Sequence, residues 1–232
     1  REWQQLYIRL RSQCLSAWGA AMRANLEELA TRLALETGKP INEARFELNS
    51  SIGYVEYYAA AARTLYGTST AVEPGLLSVL AREPVGVVAV ITPWNYPVTL
   101  LMRDMAPALA AGCTCVLKPA AQTTGCTLAV LELLDQIPAF PKGVVNAVSG
   151  RGGTAGQALA EHPEVDMISL TSGLQYRALE LKDRLPSMPE EEQYTLLASD
   201  GMLVKRPMLI AEDFVLVGFK APDWADRLGI QE

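Results

Sequence analysis

Apolar positions in the first 66 residues recur at mixed three- and four-residue steps: Trp3, Leu6, Ile8, Leu10, Cys14 and Trp18 lead into the strong helix formers of ANLEELATRLALE. The pattern predicts helix up to a stop at Gly38 and Pro40, then a second helical stretch, INEARFELNSSIGYVEYYAAAARTLYG, ending at Gly67. Its aromatic residues are spaced for burial, so this region reads as packing rather than chemistry. From Leu76 the period shortens. LLSVLAREP reads as a strand, and VGVVAVIT is a nearly continuous β-branched run of the kind that a parallel sheet buries on both faces. TCVLKP, VVNAVS and DMISLT are further short apolar runs, separated by the helical segments VTLLMRDMAPALAAG, GCTLAVLELLDQI and TAGQALAEH. This alternation predicts an α/β fold with a doubly wound parallel sheet. After Thr171 the pattern changes again. LQYRALELKDRLP reads as a helix closed by Pro186, Ser187 and Glu190 have capping-box spacing, MLVKRPMLI and DFVLVGF read as a β-hairpin around AEDF, and APDWADRLG reads as a short helix.

Composition narrows the function classes. Half of the 232 residues are apolar, which excludes disorder and supplies a core. The longest apolar stretches, MAPALAAG and VGVVAVITPW, are about half of the roughly 18 residues that a membrane helix needs, and no basic-then-apolar signal segment opens the chain. The expectation is a soluble, cytoplasmic protein without a membrane partner. A net charge of -6 with no Lys/Arg run argues against nucleic acid. The acid is denser toward the end: 13 basic and 15 acidic residues precede Ser172, and 7 and 11 follow from it. The four cysteines, Cys14, Cys113, Cys115 and Cys126, sit in apolar surroundings without a CxxC pair, and His162 is the only histidine. That set offers neither a structural zinc site nor a histidine-based triad. Cys113 and Cys115 point the same way on a strand and read as core filling.

Three places could carry chemistry. The loop SGRGGTAGQAL places Gly150, Gly152, Gly153 and Gly156 between a strand and a helix, where backbone amides could face a phosphate. Its spacing is GxGxxxG, and the same glycines would serve a plain βα turn. In ITPWNYP, Pro93 and Pro97 bracket a rigid turn at the carboxyl end of the first sheet strand, the end where α/β sheets bind ligands. The side-chain amide of Asn95 could donate to a developing oxyanion there, or satisfy its own turn. Lys118, at the end of TCVLKP, could bond cofactor hydroxyls or sit solvated beyond the strand.

Up to about Thr171 the chain resembles the NAD(P)-dependent aldehyde dehydrogenases, through LALETGKPINEAR, EPVGVVAVITPWNYP, AAGCTCVLKPA, FPKGVVNAVSG and DMISLT in the family's order. The resemblance implies a Rossmann-like parallel sheet with flanking helices. It implies that Asn95 is the oxyanion donor, that Thr92, Pro93 and Trp94 line the cofactor groove, and that Lys118 reaches the adenosine ribose, next to Ala120 and Ala121. Gly152 and Gly156 would form the glycine turn beneath the cofactor, with Thr171 at the end of the last strand. Ala121 stands where many NAD-preferring members carry an acidic residue on the ribose hydroxyls, a departure that favours NADP. Members also use a cysteine nucleophile and a glutamate base. Neither a GQxC-like context nor an LELGG segment occurs, and the expected TGS reads TSG at Thr171, Ser172 and Gly173.

Residues 172–232 resemble the carboxyl half of the arsenate-reductase-like proteins, a thioredoxin-fold family that includes the Spx regulators, most specifically in KRPMLI and DFVLVGF. That resemblance implies an anion-binding Arg206, a residue that could equally form a surface salt bridge, beside Pro207, and a helix and β-hairpin segment of thioredoxin-like origin. The sequence thus predicts two parts, 1–171 and 172–232. The whole reads as a truncated or chimeric aldehyde-dehydrogenase-like chain that binds NADP or NAD weakly and self-associates through unpaired sheet edges. Two alternatives stay open: a non-catalytic structural or interaction module, and an active aldehyde dehydrogenase completed by a partner chain.

Overall fold

The computed structural model describes residues 2–170 and two short strands, 208–210 and 215–217. Its amino-terminal layer is made of helices α1 (Glu2–Gln5), α2 (Ile8–Ala24), α3 (Leu26–Thr37) and α4 (Ile41–Ala61). The first helical stretch therefore breaks within itself, before Tyr7 and at Asn25, where the pattern predicts continuity. At Asn25 the side-chain amide donates to the Ala21 carbonyl at 2.8 Å, which competes with the next turn of backbone bonding. The predicted stop at Gly38 is found, with Gly38 in the left-handed conformation (φ 74°) and its N–H on Ala34 O at 2.9 Å. Leu15, Trp18, Met22, Leu33, Leu48 and Ile52 are fully buried in this layer.

Strands β1 (Thr68–Glu73) and β2 (Leu76–Leu80) form an antiparallel hairpin whose every residue is exposed. The sequence marks LLSVL as a strand but gives no sign of its partner, because Thr68, Ser69 and Thr70 carry no alternating apolar face. The pair forms a two-stranded sheet of its own, separate from the parallel one.

The parallel sheet holds β3 (Val87–Ile91), β4 (Thr114–Lys118), β5 (Val145–Ala147) and β6 (Met167–Leu170) in the order β5-β4-β3-β6. Val88 stands opposite Cys115 on one side and Met167 on the other. Helices α5 (Pro97–Ala111), α6 (Thr124–Glu132) and α7 (Gln157–Ala160) make the connections. The chain steps outward from β3 to β5 and then returns to the other side of β3, so the strand order reverses between β3 and β6. Val88, Val90, Cys115 and Leu117 join the helices in one core, whereas Val87 and Ile91 are only half-buried. Complete burial on both faces, the sequence expectation for this run, holds for its central residues alone.

Charged side chains of the helical layer reach the ends of the sheet helices. Glu47 of α4 accepts from Val98 N (3.0 Å) and Thr99 N (3.2 Å) at the start of α5, while Arg11 of α2 donates to Ala110 O (3.3 Å) at its end. Both signs oppose the helix dipole correctly. Glu36 of α3 accepts from Cys126 N at 2.8 Å and does the same for α6. Two indoles complete the join, Trp3 donating to Leu109 O at 3.1 Å and Trp18 to Val130 O at 3.0 Å.

The chain divides into two units, Arg1–Thr171 and Ser172–Glu232. Within the second, β7 (Met208–Ile210) and β8 (Val215–Val217) pair antiparallel as a two-stranded sheet, with Met208 opposite Val217. The helices read at LQYRALELKDRLP and APDWADRLG, and the capping box at Ser187, lie outside the described residues. No described helix is long and apolar enough to cross a membrane.

Candidate functional site

Thr92 to Asn95, Lys118 to Ala121 and the glycine turn follow the carboxyl ends of β3, β4 and β5. Thr92 extends the ladder beyond β3, its N–H on Lys118 O at 3.2 Å. It is buried, at 3% exposure, and its hydroxyl has no hydrogen-bond partner among the described residues. Pro93 is half-buried, and the chain then emerges, with Trp94 55% exposed and Asn95 exposed. The Asn95 side chain makes no hydrogen bond among the described residues, so it does not satisfy its own turn and remains available to a ligand. The Asn95 backbone is held, however: Lys39 Nζ donates to Asn95 O at 2.9 Å, pairs with Glu47, and lies 4.5 Å from the centre of the Tyr96 ring. A surface cavity of about 250 Å³ opens here, lined by Thr37, Lys39, Glu43, Trp94, Asn95 and Tyr96.

Lys118 is not solvated beyond its strand. It is only 5% exposed, and its ammonium donates to Pro119 O at 2.9 Å, the one hydrogen bond that it makes among the described residues. Burial pushes its pKa down. A side chain at Gly156 would stand 3.7 Å from Lys118 Cδ, so the glycine turn and the lysine meet. Ala120 is half-buried and accepts from the Thr124 hydroxyl at 3.1 Å; Ala121 is exposed and opens a short turn.

The glycine turn differs from the open amide cradle that the spacing suggests. Residues Gly152–Gly156 form a π-helical turn in which Thr154 N (3.2 Å) and Gly156 N (3.3 Å) both bond to Arg151 O. Those two donors are used within the turn, and α7 is only four residues long. The glycine that the geometry demands is Gly150, at φ 151°, where a Cβ would come within 2.6 Å of Ala155 Cβ. Gly152 meets nothing within 4 Å. Spacing alone cannot rank such glycines, because only the backbone angle separates them. Lys39 and Glu47 were not singled out; the only trace of them in the sequence is a lysine at a helix break followed eight residues later by a glutamate. Thr171 and Arg206 lie outside the described residues.

All four thiols, Cys14, Cys113, Cys115 and Cys126, are buried in the core. Burial raises the pKa of Cys14 and Cys115, and pushes that of Cys126 up to about 12. What the strand ends offer instead is a buried cation with spare donors at Lys118, a buried hydroxyl at Thr92 that is unpartnered among the described residues, and, in the turn after β3, an exposed aromatic and an exposed amide. These donors suit the hydroxyls and phosphates of a nucleotide.

Comparison with known proteins decides the family. The aldehyde dehydrogenase family pattern matches residues 1–177. The chain belongs to the aldehyde dehydrogenase family. It is 39% identical over 173 residues to the 3-sulfolactaldehyde dehydrogenase of Pseudomonas putida, covering 74% of this chain and 35% of that protein. The NADP(+) succinate-semialdehyde dehydrogenase of Escherichia coli is 38% identical over 173 residues, covering 73% and 35%. Among solved structures, an NAD-dependent aldehyde dehydrogenase from Sinorhizobium meliloti superposes with a TM-score of 0.72 at 38% identity, covering 75% of this chain and 34% of its own. PnpE from Pseudomonas sp. WBC-3 gives 0.74 at 39% identity, covering 77% and 37%, and PnpE has also been solved with nicotinamide adenine dinucleotide. The chain thus spans about a third of the length of these relatives. The family match runs past the junction expected at Thr171 and Ser172 and stops inside the segment read as LQYRALELKDRLP.

Proposed function

We propose that this chain is a nucleotide-binding member of the aldehyde dehydrogenase family that holds NADP or NAD weakly and brings no cysteine nucleophile or glutamate base of its own. The observation that carries the reading is Lys118: a buried ammonium with one hydrogen bond, packed beside Gly156 at the carboxyl end of the sheet. A buried cation with no carboxylate partner among the described residues is a standing electrostatic cost that an anionic ligand relieves. With Ala121 exposed beside it, the site favours the extra phosphate of NADP over the bare ribose of NAD. Thr92 adds a buried hydroxyl, Trp94 an apolar wall, and Asn95 a free amide donor at the rim. A bound nicotinamide nucleotide would supply a hydride acceptor; this chain's residues bind and orient it. Burial of all four thiols, with the pKa of three of them raised, supports the reading that none serves as the nucleophile.

We infer that residues 172–232 are arsenate-reductase-like in origin, with Arg206 as an anion contact, and that the chain joins two families. A second reading, an interaction module, is favoured by the hairpin β1–β2, which exposes Leu76, Leu77, Val79 and Leu80 together. Calorimetric titration of the purified chain with NADP and with NAD tests the main reading. Saturable heat is expected for both, with NADP the tighter. No heat at millimolar concentration would overturn it in favour of the interaction module, and turnover of an aliphatic aldehyde would instead establish a working site completed from a partner chain.

A further inference from the structure

The turn that carries Asn95 is held from outside by two charges. Glu47 is fully buried, and its Oε1 accepts from Val98 N and Thr99 N, directly after the turn. Its other oxygen pairs with Lys39, whose ammonium also donates to Asn95 O and faces the Tyr96 ring. A carboxylate this deep requires its cation, because an unpaired buried charge is strongly disfavoured. One ion pair therefore grips the chain on both sides of the Asn95–Pro97 corner. The helix start alone would need only the carboxylate. The contact from Lys39 to Asn95 O adds nothing to the helix and fixes the residue whose side-chain amide is left free.

We propose that Lys39 and Glu47 are a positioning pair that orients Asn95 and Trp94 at the rim of the nucleotide site. The effect on ligand binding rests on the nucleotide-binding reading above; the effect on the turn does not. Lys39 reaches its target from the corner between α3 and α4, so the helical layer presets the rim of a site that the sheet builds. Preset donors lose less freedom when a ligand arrives.

The test uses the full chain labelled with 15N, as wild type, K39M and K39R. Relaxation of the Asn95 side-chain amide and the Trp94 indole N–H reads mobility, and NADPH fluorescence on the same samples reads binding. K39M is expected to loosen both groups while core amides such as that of Leu117 stay rigid, and to weaken NADPH roughly tenfold, as for one lost hydrogen bond to a charged donor. K39R should recover most of each effect. Should K39M fail to fold, E47Q serves in its place, since it keeps an acceptor for Val98 and Thr99 but dissolves the ion pair. Unchanged Asn95 and Trp94 mobility, or unchanged NADPH affinity against a binding wild type, would overturn the inference. A wild type that ignores NADPH while the substitution still loosens Asn95 would retain the positioning pair and remove the nucleotide reading.

Discussion

Lys118 concentrates the tension between stability and binding in a single side chain. Its ammonium is buried with one hydrogen bond among the described residues, so replacing it with an apolar chain of similar length removes an electrostatic cost. K118M should raise stability at pH 7 by about 1 kcal/mol, or roughly 2–4 °C in Tm, and, on the nucleotide-binding reading proposed above, abolish the expected preference for NADP. Thermal melts and nucleotide titration check the two halves. The pH dependence has a defined sign. Burial lowers the lysine pKa in the folded state from its ordinary 10.5, so the folded chain binds fewer protons than the unfolded one in that window. The penalty is full below the folded pKa and fades as the pH climbs toward 10.5, so the gap between K118M and wild type should close at alkaline pH. A gap independent of pH would mean that the gain is packing alone. Much of this was legible in TCVLKP, which places a lysine at a strand end; its burial was not, because burial depends on Gly156 arriving from a distant loop. The same holds for Asn95, whose grip by Lys39 spans 56 residues of sequence.

At the scale of elements, periodicity located α2 to α6 and the four parallel strands, since each carries an apolar stripe or run long enough to declare its period. It missed β1, whose residues bury nothing, and it merged α2 with α3, because a break made by one asparagine amide leaves the apolar spacing intact. What no local pattern contains is the capping of α5 by Glu47 at one end and Arg11 at the other. Arg11 also donates to Leu6 O at 2.6 Å and Gln4 O at 3.4 Å, so it serves α1 and α5 together. Truncation to methionine would leave the buried Ala110 carbonyl, and the half-buried one of Leu6, without this donor. R11M is expected to destabilise the chain by about 1–3 kcal/mol, seen as a lower urea midpoint at unchanged slope. A midpoint within error of wild type would show that water replaces the guanidinium.

For the whole molecule, the exposed hairpin sets the behaviour in solution. Leu77 and Val79 are 63% and 69% exposed on an antiparallel pair whose residues are all exposed. The outer edges of β5 and β6 are likewise unpaired among the described residues. The chain should therefore sediment as a dimer or larger, and the double substitution Leu77→Thr, Val79→Thr, which keeps strand propensity, should shift it toward monomer. A wild type that sediments as a monomer would rule this out. The arrangement of charges along α5 carries one more consequence. Both ends of the first crossover helix are anchored by residues that precede Gly67, so the sheet is not a detachable cassette. A piece trimmed to start at the hairpin would keep every strand and every rim residue of the parallel sheet, yet it would leave that helix with bare termini and the Asn95 corner without its lysine. The leading helices and the parallel sheet therefore have to be transplanted or trimmed as one piece.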